Sequence, residues 1–131
     1  MQYMLSIYSD ESGFAEATPE EGQAVLEAYF AYDRALRDAG VFIAGEALQP
    51  SQTATLVRVR DGERALTDGP FAETREQLGG FYLLECRDLD EALDWAAKCP
   101  GSHHGTIEVR AIQKFDDPAD VAATEGASTA S

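Results

Sequence analysis

The 131-residue sequence has no apolar run near the roughly 18 residues that a membrane-spanning helix needs, so no bilayer crossing is expected. Its first residues, Met1-Gln2-Tyr3-Met4-Leu5-Ser6, lack the basic stretch and apolar segment of a secretory leader, and a cytoplasmic location is expected. Cysteine is scarce: Cys86 and Cys99 are too few for a disulfide scaffold, and reduced thiols are the default in that compartment. Neither has a second sulfur or a histidine at ligand spacing, so no metal site is expected. Cys86 closes an apolar strand pattern and belongs in the core. Cys99 follows a helix and could be partly exposed. Basic residues are few as well. Ten Lys and Arg stand against 24 Asp and Glu, a formal net charge of −14. Nucleic acid and anionic membranes would repel such a chain, so neither is an expected partner, whereas a cationic ligand or a basic protein partner would suit it, and the charge identifies neither. There is no phosphate-cradling glycine loop and no Ser-His-Asp nucleophile pattern, and no cofactor is implied.

What is present suffices for one core. Apolar residues make up 44% of the chain, in the size range of a single domain. Tyr3 to Tyr8 reads as a central strand, and Ser9 to Ala17, polar and containing Gly13, as a loop. Thr18-Pro19-Glu20-Glu21 is a helix start: Thr18 caps, Pro19 takes the first helical position, and Glu21 closes a capping box. Val25, Leu26, Tyr29, Tyr32 and Leu36 follow at helical spacing, and Gly40 stops the helix. Val41 to Ala44 restarts a strand. Thr53 to Arg60 alternates, Asp61-Gly62 is a hairpin signal, and Glu63 to Thr67 is the return strand. Asp68-Gly69-Pro70-Phe71 cannot continue it, and Ala72 to Leu78 reads as a charged loop or short helical turn. Gly79-Gly80 permits a turn or bulge where the strand Phe81 to Cys86 opens. Asp88 and Glu91 repeat the capping logic for a helix whose buried stripe is Leu89, Ala92, Leu93 and Ala96, with Trp95 at its margin. Pro100-Gly101 ends it, and Thr106 to Ile112 is the last strand.

Two β-α-β units around an inserted β-hairpin predict an α+β, ferredoxin-like domain over residues 1–115, with both helices on one face of an antiparallel sheet. Residues 116–131 read as an acidic, disordered tail. A second copy is the economical cover for the other face of the sheet, which predicts a homodimer and a dimeric α/β barrel.

At Asp68-Gly69-Pro70-Phe71-Ala72-Glu73-Thr74 a longer word begins. Together with Glu76-Gln77-Leu78-Gly79-Gly80-Phe81-Tyr82 and Gly105-Thr106-Ile107-Glu108-Val109-Arg110, it resembles the DGPF branch of the YCII-related family over residues 2–114. The resemblance implies a dimeric ferredoxin-like barrel, association with extracytoplasmic-function sigma factors, and little about activity. YCII relatives outside this branch are similar to small acid–base enzymes, with a His on the first helix and an Asp before a Pro after the second. Tyr29 stands at that His position here and Cys99-Pro100 where the Asp-Pro would be, so the dyad chemistry does not carry over. Ala111 replaces the proline that usually follows the Glu-Val-Arg word.

The remaining candidates divide between structure and chemistry. Asp68 suits an Asx-type turn, or a base or ligand acceptor. Phe71 suits loop packing at a cleft or subunit seam, and Arg75, in a charged run, could reach an anionic ligand. His103 and His104 are the only histidines, in a glycine-bounded loop. His104, nearer the strand, is preferred, with Asp68 or Glu108 to orient it. Arg110 suits a carboxylate or phosphate clamp. The expected set is thus Asp68 and His104 as catalytic groups, and Phe71, Arg75 and Arg110 against a small anionic ligand. Two readings follow: a ligand-binding or regulatory module associated with sigma factors, or a cofactor-free acid–base enzyme, an isomerase or lyase, acting on a small organic acid in the dimer cleft. A cofactor-free monooxygenase is supported by fold analogy alone.

Overall fold

β1 (Gln2–Ser9) alternates between two environments, with Tyr3 and Leu5 buried on one side and Met4 and Tyr8 half-buried on the other. A computed structural model describes residues 1–115 and places this strand at the centre of a four-stranded antiparallel sheet. Around it lie β2 (Phe42–Ala47), β5 (Gln77–Glu85) and β6 (Thr106–Ala111), in the order β2-β5-β1-β6. The domain is mixed α+β, and this order is compatible with the expected ferredoxin-like fold. A separate hairpin, β3 (Thr55–Arg60) and β4 (Glu63–Asp68), forms its own two-stranded sheet. Its turn residues Asp61 and Gly62 both have positive φ, 53° and 77°, as a tight hairpin requires. The expectations for residues 116–131 lie outside the described residues.

Helix α2 (Pro19–Asp38) starts as its sequence dictates. Thr18 accepts from the Glu21 N–H at 3.1 Å, and the Glu21 carboxylate accepts from the Thr18 N–H at 2.8 Å. Gly40, at φ 74°, follows its C-terminus. Helix α3 (Leu89–Lys98) is capped by Asp88, which accepts from the Glu91 N–H at 2.9 Å. Here Glu91 reaches back one residue further, to the Arg87 N–H at 2.7 Å. One expected loop is a helix: α1 (Glu11–Ala15) forms where Ser9 to Ala17 looked irregular. Asp10 supplies the reason, accepting from both the N–H and the hydroxyl of Ser12.

Both long helices pack on the same face of the sheet. Tyr32 and Leu36 of α2 and Ala92 and Ala96 of α3 meet Tyr3, Leu5, Tyr82 and Leu84 from the strands. Tyr32 donates its hydroxyl to the Trp95 carbonyl at 2.7 Å, which ties the two helices together. The buried stripes are narrower than their spacing suggests. Leu26, Leu89 and Leu93 are all more than two-fifths exposed, because each lies on the flank of its helix. Cys99, expected to be partly exposed, is instead fully buried, and its thiol reaches the Tyr29 hydroxyl at 3.9 Å.

Among the described residues, the opposite face is covered by no helix. It carries Met4, Ser6 and Tyr8 of β1, Phe81 and Leu83 of β5, and Thr106, Glu108 and Arg110 of β6, as the strand register requires. The β1–β5 register slips between Ile7 and Tyr8, leaving Gly79 as the extra residue of a bulge. That is the place where Gly79-Gly80 was expected to permit one. Strand β5 begins earlier than expected, at Gln77, because its pairing with Ser9 extends beyond the bulge.

Two outcomes follow. A Cβ on Gly80 would lie 2.7 Å from the Glu46 carbonyl oxygen, backbone that cannot yield cheaply. Gly80→Ala should cost roughly 1–3 kcal/mol in urea denaturation, as overpacking does. On the alkaline side, burial pushes the Tyr82 hydroxyl up from 10.0 to about 12. A raised acid contributes stability that is complete below its unfolded pKa and lost as pH climbs through the folded one. Unfolding free energy should therefore hold to about pH 10 and fall between pH 10 and 12, more steeply in the native chain than in Tyr82→Phe.

Candidate functional site

The segment from Asp68 to Glu76 leaves the hairpin and returns to the sheet. Gly69, at φ 102°, makes the sharp turn that a side chain would resist, and its N–H donates to the Ala54 carbonyl at 2.7 Å. Pro70 then stiffens the chain. Phe71 is 78% exposed, with the Arg58 guanidinium 6.0 Å from its ring centre. The segment is anchored at its far end. Thr74 donates its hydroxyl to the Glu76 carbonyl, and Gln77 accepts from the Glu11 N–H at 2.9 Å. Glu11 in turn accepts from the N–H and hydroxyl of Ser51. Across the sheet edge, Thr106 donates to the Glu76 carboxylate at 2.8 Å.

These anchors leave an open hollow of about 860 Å³ at one end of the uncovered sheet face, lined by Tyr8, Thr74, Arg75, Glu76, Thr106 and Glu108. Tyr8 and Thr106 are direct cross-strand partners, and Glu108 stands opposite Ser6. Arg75 projects from the anchored segment above them and weakly favours the charged form of the nearby Asp10 carboxylate, which its Ser12 hydrogen bonds already hold below the usual range.

The expected residues are placed as follows. Arg75 lines the hollow. His104 instead lines a groove of about 550 Å³ between α2 and α3, on the helical side, with His103, Trp95 and Lys98. The Lys98 ammonium lies 4.8 Å from the centre of the Trp95 ring. Asp68 ends β4 opposite Thr55, exposed, and makes no side-chain hydrogen bond among the described residues. The Asx-type turn that its position suggests is therefore not formed. Arg110 shares the sheet face with Glu108 but stands opposite Met4, four residues from Thr106, or about 13 Å along the strand. Neither hollow is lined by Asp68, His104 and Arg110 together.

Sequence reasoning missed Tyr8, Thr74, Glu76 and Thr106 as lining residues. Strand alternation could have found two of them, since Tyr8 shares a face with Ser6, and Thr106 with Glu108. The loop residues have no period to read.

Tyr29 and Cys99, which the resemblance aligns with the His and Asp of an acid–base dyad, do come together. They are in contact across 70 residues of sequence. Burial, reinforced by the neighbouring thiol, pushes the Tyr29 hydroxyl up, and burial likewise pushes the Cys99 thiol up. Neither group changes charge near neutrality. A Cβ on Gly101 would lie 2.7 Å from the Tyr29 oxygen, so the pair is tightly enclosed.

This enclosure sets an expected outcome. Alkylation requires an exposed thiolate, and Cys86 and Cys99 are both buried with raised pKa. Iodoacetamide at pH 8 should leave both unmodified in the native chain by mass spectrometry, and modify both in urea. Fast native labelling of Cys99 would show that the pocket opens.

Among the described residues no helix is long and apolar enough to cross a membrane. Residues 1–116 match the YCII-related domain. An uncharacterised protein of Rhizobium meliloti (strain 1021) is 40% identical over 117 residues, covering 88% of this chain and 94% of that protein. With residues 1–116 matched by the family model, the chain belongs to the YCII-related family.

Proposed function

We propose that the chain is a small-ligand-binding or regulatory module of the DGPF branch, which works as a homodimer and holds a small carboxylate at Arg75. The observation that carries this reading is the hollow on the uncovered sheet face, with a guanidinium on its wall. An arginine fork suits a planar carboxylate better than a lysine would. Tyr8 and the threonine methyl groups offer an apolar surface for the rest of the molecule.

The uncovered face supports the dimer. Met4, Tyr8, Phe81 and Leu83 are half-buried there, while Val57, Val59 and Leu66 of the hairpin are each more than half exposed. Apolar area of this kind is stabilised by a partner surface, and a second copy supplies one by two-fold symmetry. A barrel closed by two sheets would place the hollow near the seam. The association with extracytoplasmic-function sigma factors rests on the family resemblance. The net charge of −14 agrees with a basic protein surface as its target.

Light scattering at micromolar concentration should give twice the 14.2 kDa chain mass, and a clean monomer would remove the shared barrel. A thermal-shift screen of small carboxylates should raise the melting temperature with at least one compound. Arg75→Gln should abolish that shift while leaving the unliganded melting temperature within about 2 °C. An unchanged shift would move the site elsewhere. Mixing with a purified extracytoplasmic-function sigma factor from the same organism should give a heavier species at low salt that dissociates at high salt.

A further inference from the structure

Once the internal bonds of the hollow are counted, three polar side chains in it have no partner among the described residues. Thr106 and Thr74 donate their hydroxyls to Glu76, the first to its carboxylate and the second to its carbonyl. Glu76 is thereby engaged in fastening the segment to β6. Arg75, Glu108 and Tyr8 make no side-chain hydrogen bond among the described residues. The ion pairs there are Met1–Glu85, Arg37–Asp33 and Arg87–Glu91, so Arg75 and Glu108 belong to none. Among the described residues, one unpaired cation and one unpaired anion therefore line the same hollow.

Two neighbouring charges bear on them. Asp10 feels Arg75, but its carboxylate already accepts from the N–H and hydroxyl of Ser12. Arg110 lies two residues beyond Glu108 on the same strand face without forming an ion pair with it.

The charge inventory then selects among ligands. The lining holds one arginine and two glutamates, and because Thr106 already holds Glu76, one charge of each sign is left without a partner among the described residues. A bare anion gains Arg75 but meets Glu108, and a bare cation gains Glu108 but meets Arg75. A molecule that carries both charges gains from both and adds no net charge. We infer that this hollow binds a zwitterion of the α-amino acid class, with its carboxylate on Arg75, its ammonium on Glu108 and its side chain against the Tyr8 ring. This rests on the reading that the hollow is the binding site and narrows what it takes. The guanidinium presents a fork that matches a carboxylate, and a carboxylate accepts from an ammonium in a charge-assisted hydrogen bond. An aromatic face beside an ammonium adds a cation–π attraction.

The test is calorimetric titration of the full chain with L-alanine, L-leucine and L-phenylalanine. Each is compared with its deaminated acid (propanoate, 4-methylpentanoate, 3-phenylpropanoate) and its decarboxylated amine (ethylamine, 3-methylbutylamine, phenethylamine). At least one amino acid should bind, with both of its truncated forms at least tenfold weaker. Arg75→Gln should weaken it tenfold or more. Glu108→Gln should do the same and, by removing the repulsion, reverse the preference so that the deaminated acid binds at least as well as the amino acid. If the acid equals the amino acid in the native chain and depends on Arg75, the zwitterion inference fails and the carboxylate-binding reading stands. If none of the nine compounds binds, both fail. If either variant alone turns a dimer into a monomer without ligand, the two charges belong to the subunit contact, and the inference is overturned.

Discussion

A β-strand sends successive side chains to opposite faces of its sheet, and this chain packs its two long helices on only one of them. Everything else in the domain follows from that asymmetry. On the helical face, Leu5, Leu36, Leu84 and Cys99 are fully buried, and Tyr3, Tyr32 and Tyr82 fill the space between helices and strands. On the other face the same strands carry Ser6, Tyr8, Glu108 and Arg110, a mixture that neither solvent nor a core would select for alone. Ser6 is only 5% exposed, so this face is already shaped before anything covers it.

What the sequence made legible was local. The Thr18 capping box, the Gly40 stop and the Asp61-Gly62 turn each involve residues within a few positions of one another, where side-chain chemistry and backbone dihedral settle the outcome. The alternation of β6 put Glu108 and Arg110 on one face for the same reason. Harder to read was whatever depended on distant partners. Leu89 and Leu93 sit at helical spacing beside Ala92 and Ala96, yet they face outward. Which flank of a helix is covered depends on where the neighbouring strand ends. Cys99 read as a helix-end residue that could be partly exposed, and its contact with Tyr29 lies in the buried core instead. For the candidate site, Arg75 was visible as a cation in a charged run. The residues that gather around it come from β1, β6 and an aperiodic loop, whose convergence no local rule specifies.

The electrostatics divide the two faces further. On the helical side, Tyr29, Tyr32, Tyr82, Cys86 and Cys99 all have their pKa raised by burial, which keeps them neutral over the physiological range. A Tyr–Cys pair of this kind offers neither a base nor a permanent charge near pH 7. Proton transfer of the His–Asp type that the resemblance implies for other relatives has no ready counterpart at these two positions. The hollow on the other face gathers permanent charges of both signs, Arg75, Glu76 and Glu108.

Solvent limits what those charges can do in an isolated chain. Between unit charges a few ångströms apart, attraction in water is about fourfold weaker than at the effective dielectric typical near a protein surface, and salt weakens it further. An open hollow therefore discriminates poorly, whatever its charge pattern. Covering the sheet face with a second copy would exclude water from Arg75 and Glu108 and so strengthen each contact with a bound molecule. The same exclusion would make it costly to leave either charge without a partner. In the proposed dimer, assembly and ligand occupancy are thus linked. A ligand that satisfies both charges stabilises the closed pair of sheets, and the closed pair sharpens the choice of ligand. A module built this way can report the presence of a small molecule through its assembly, with no bond made or broken.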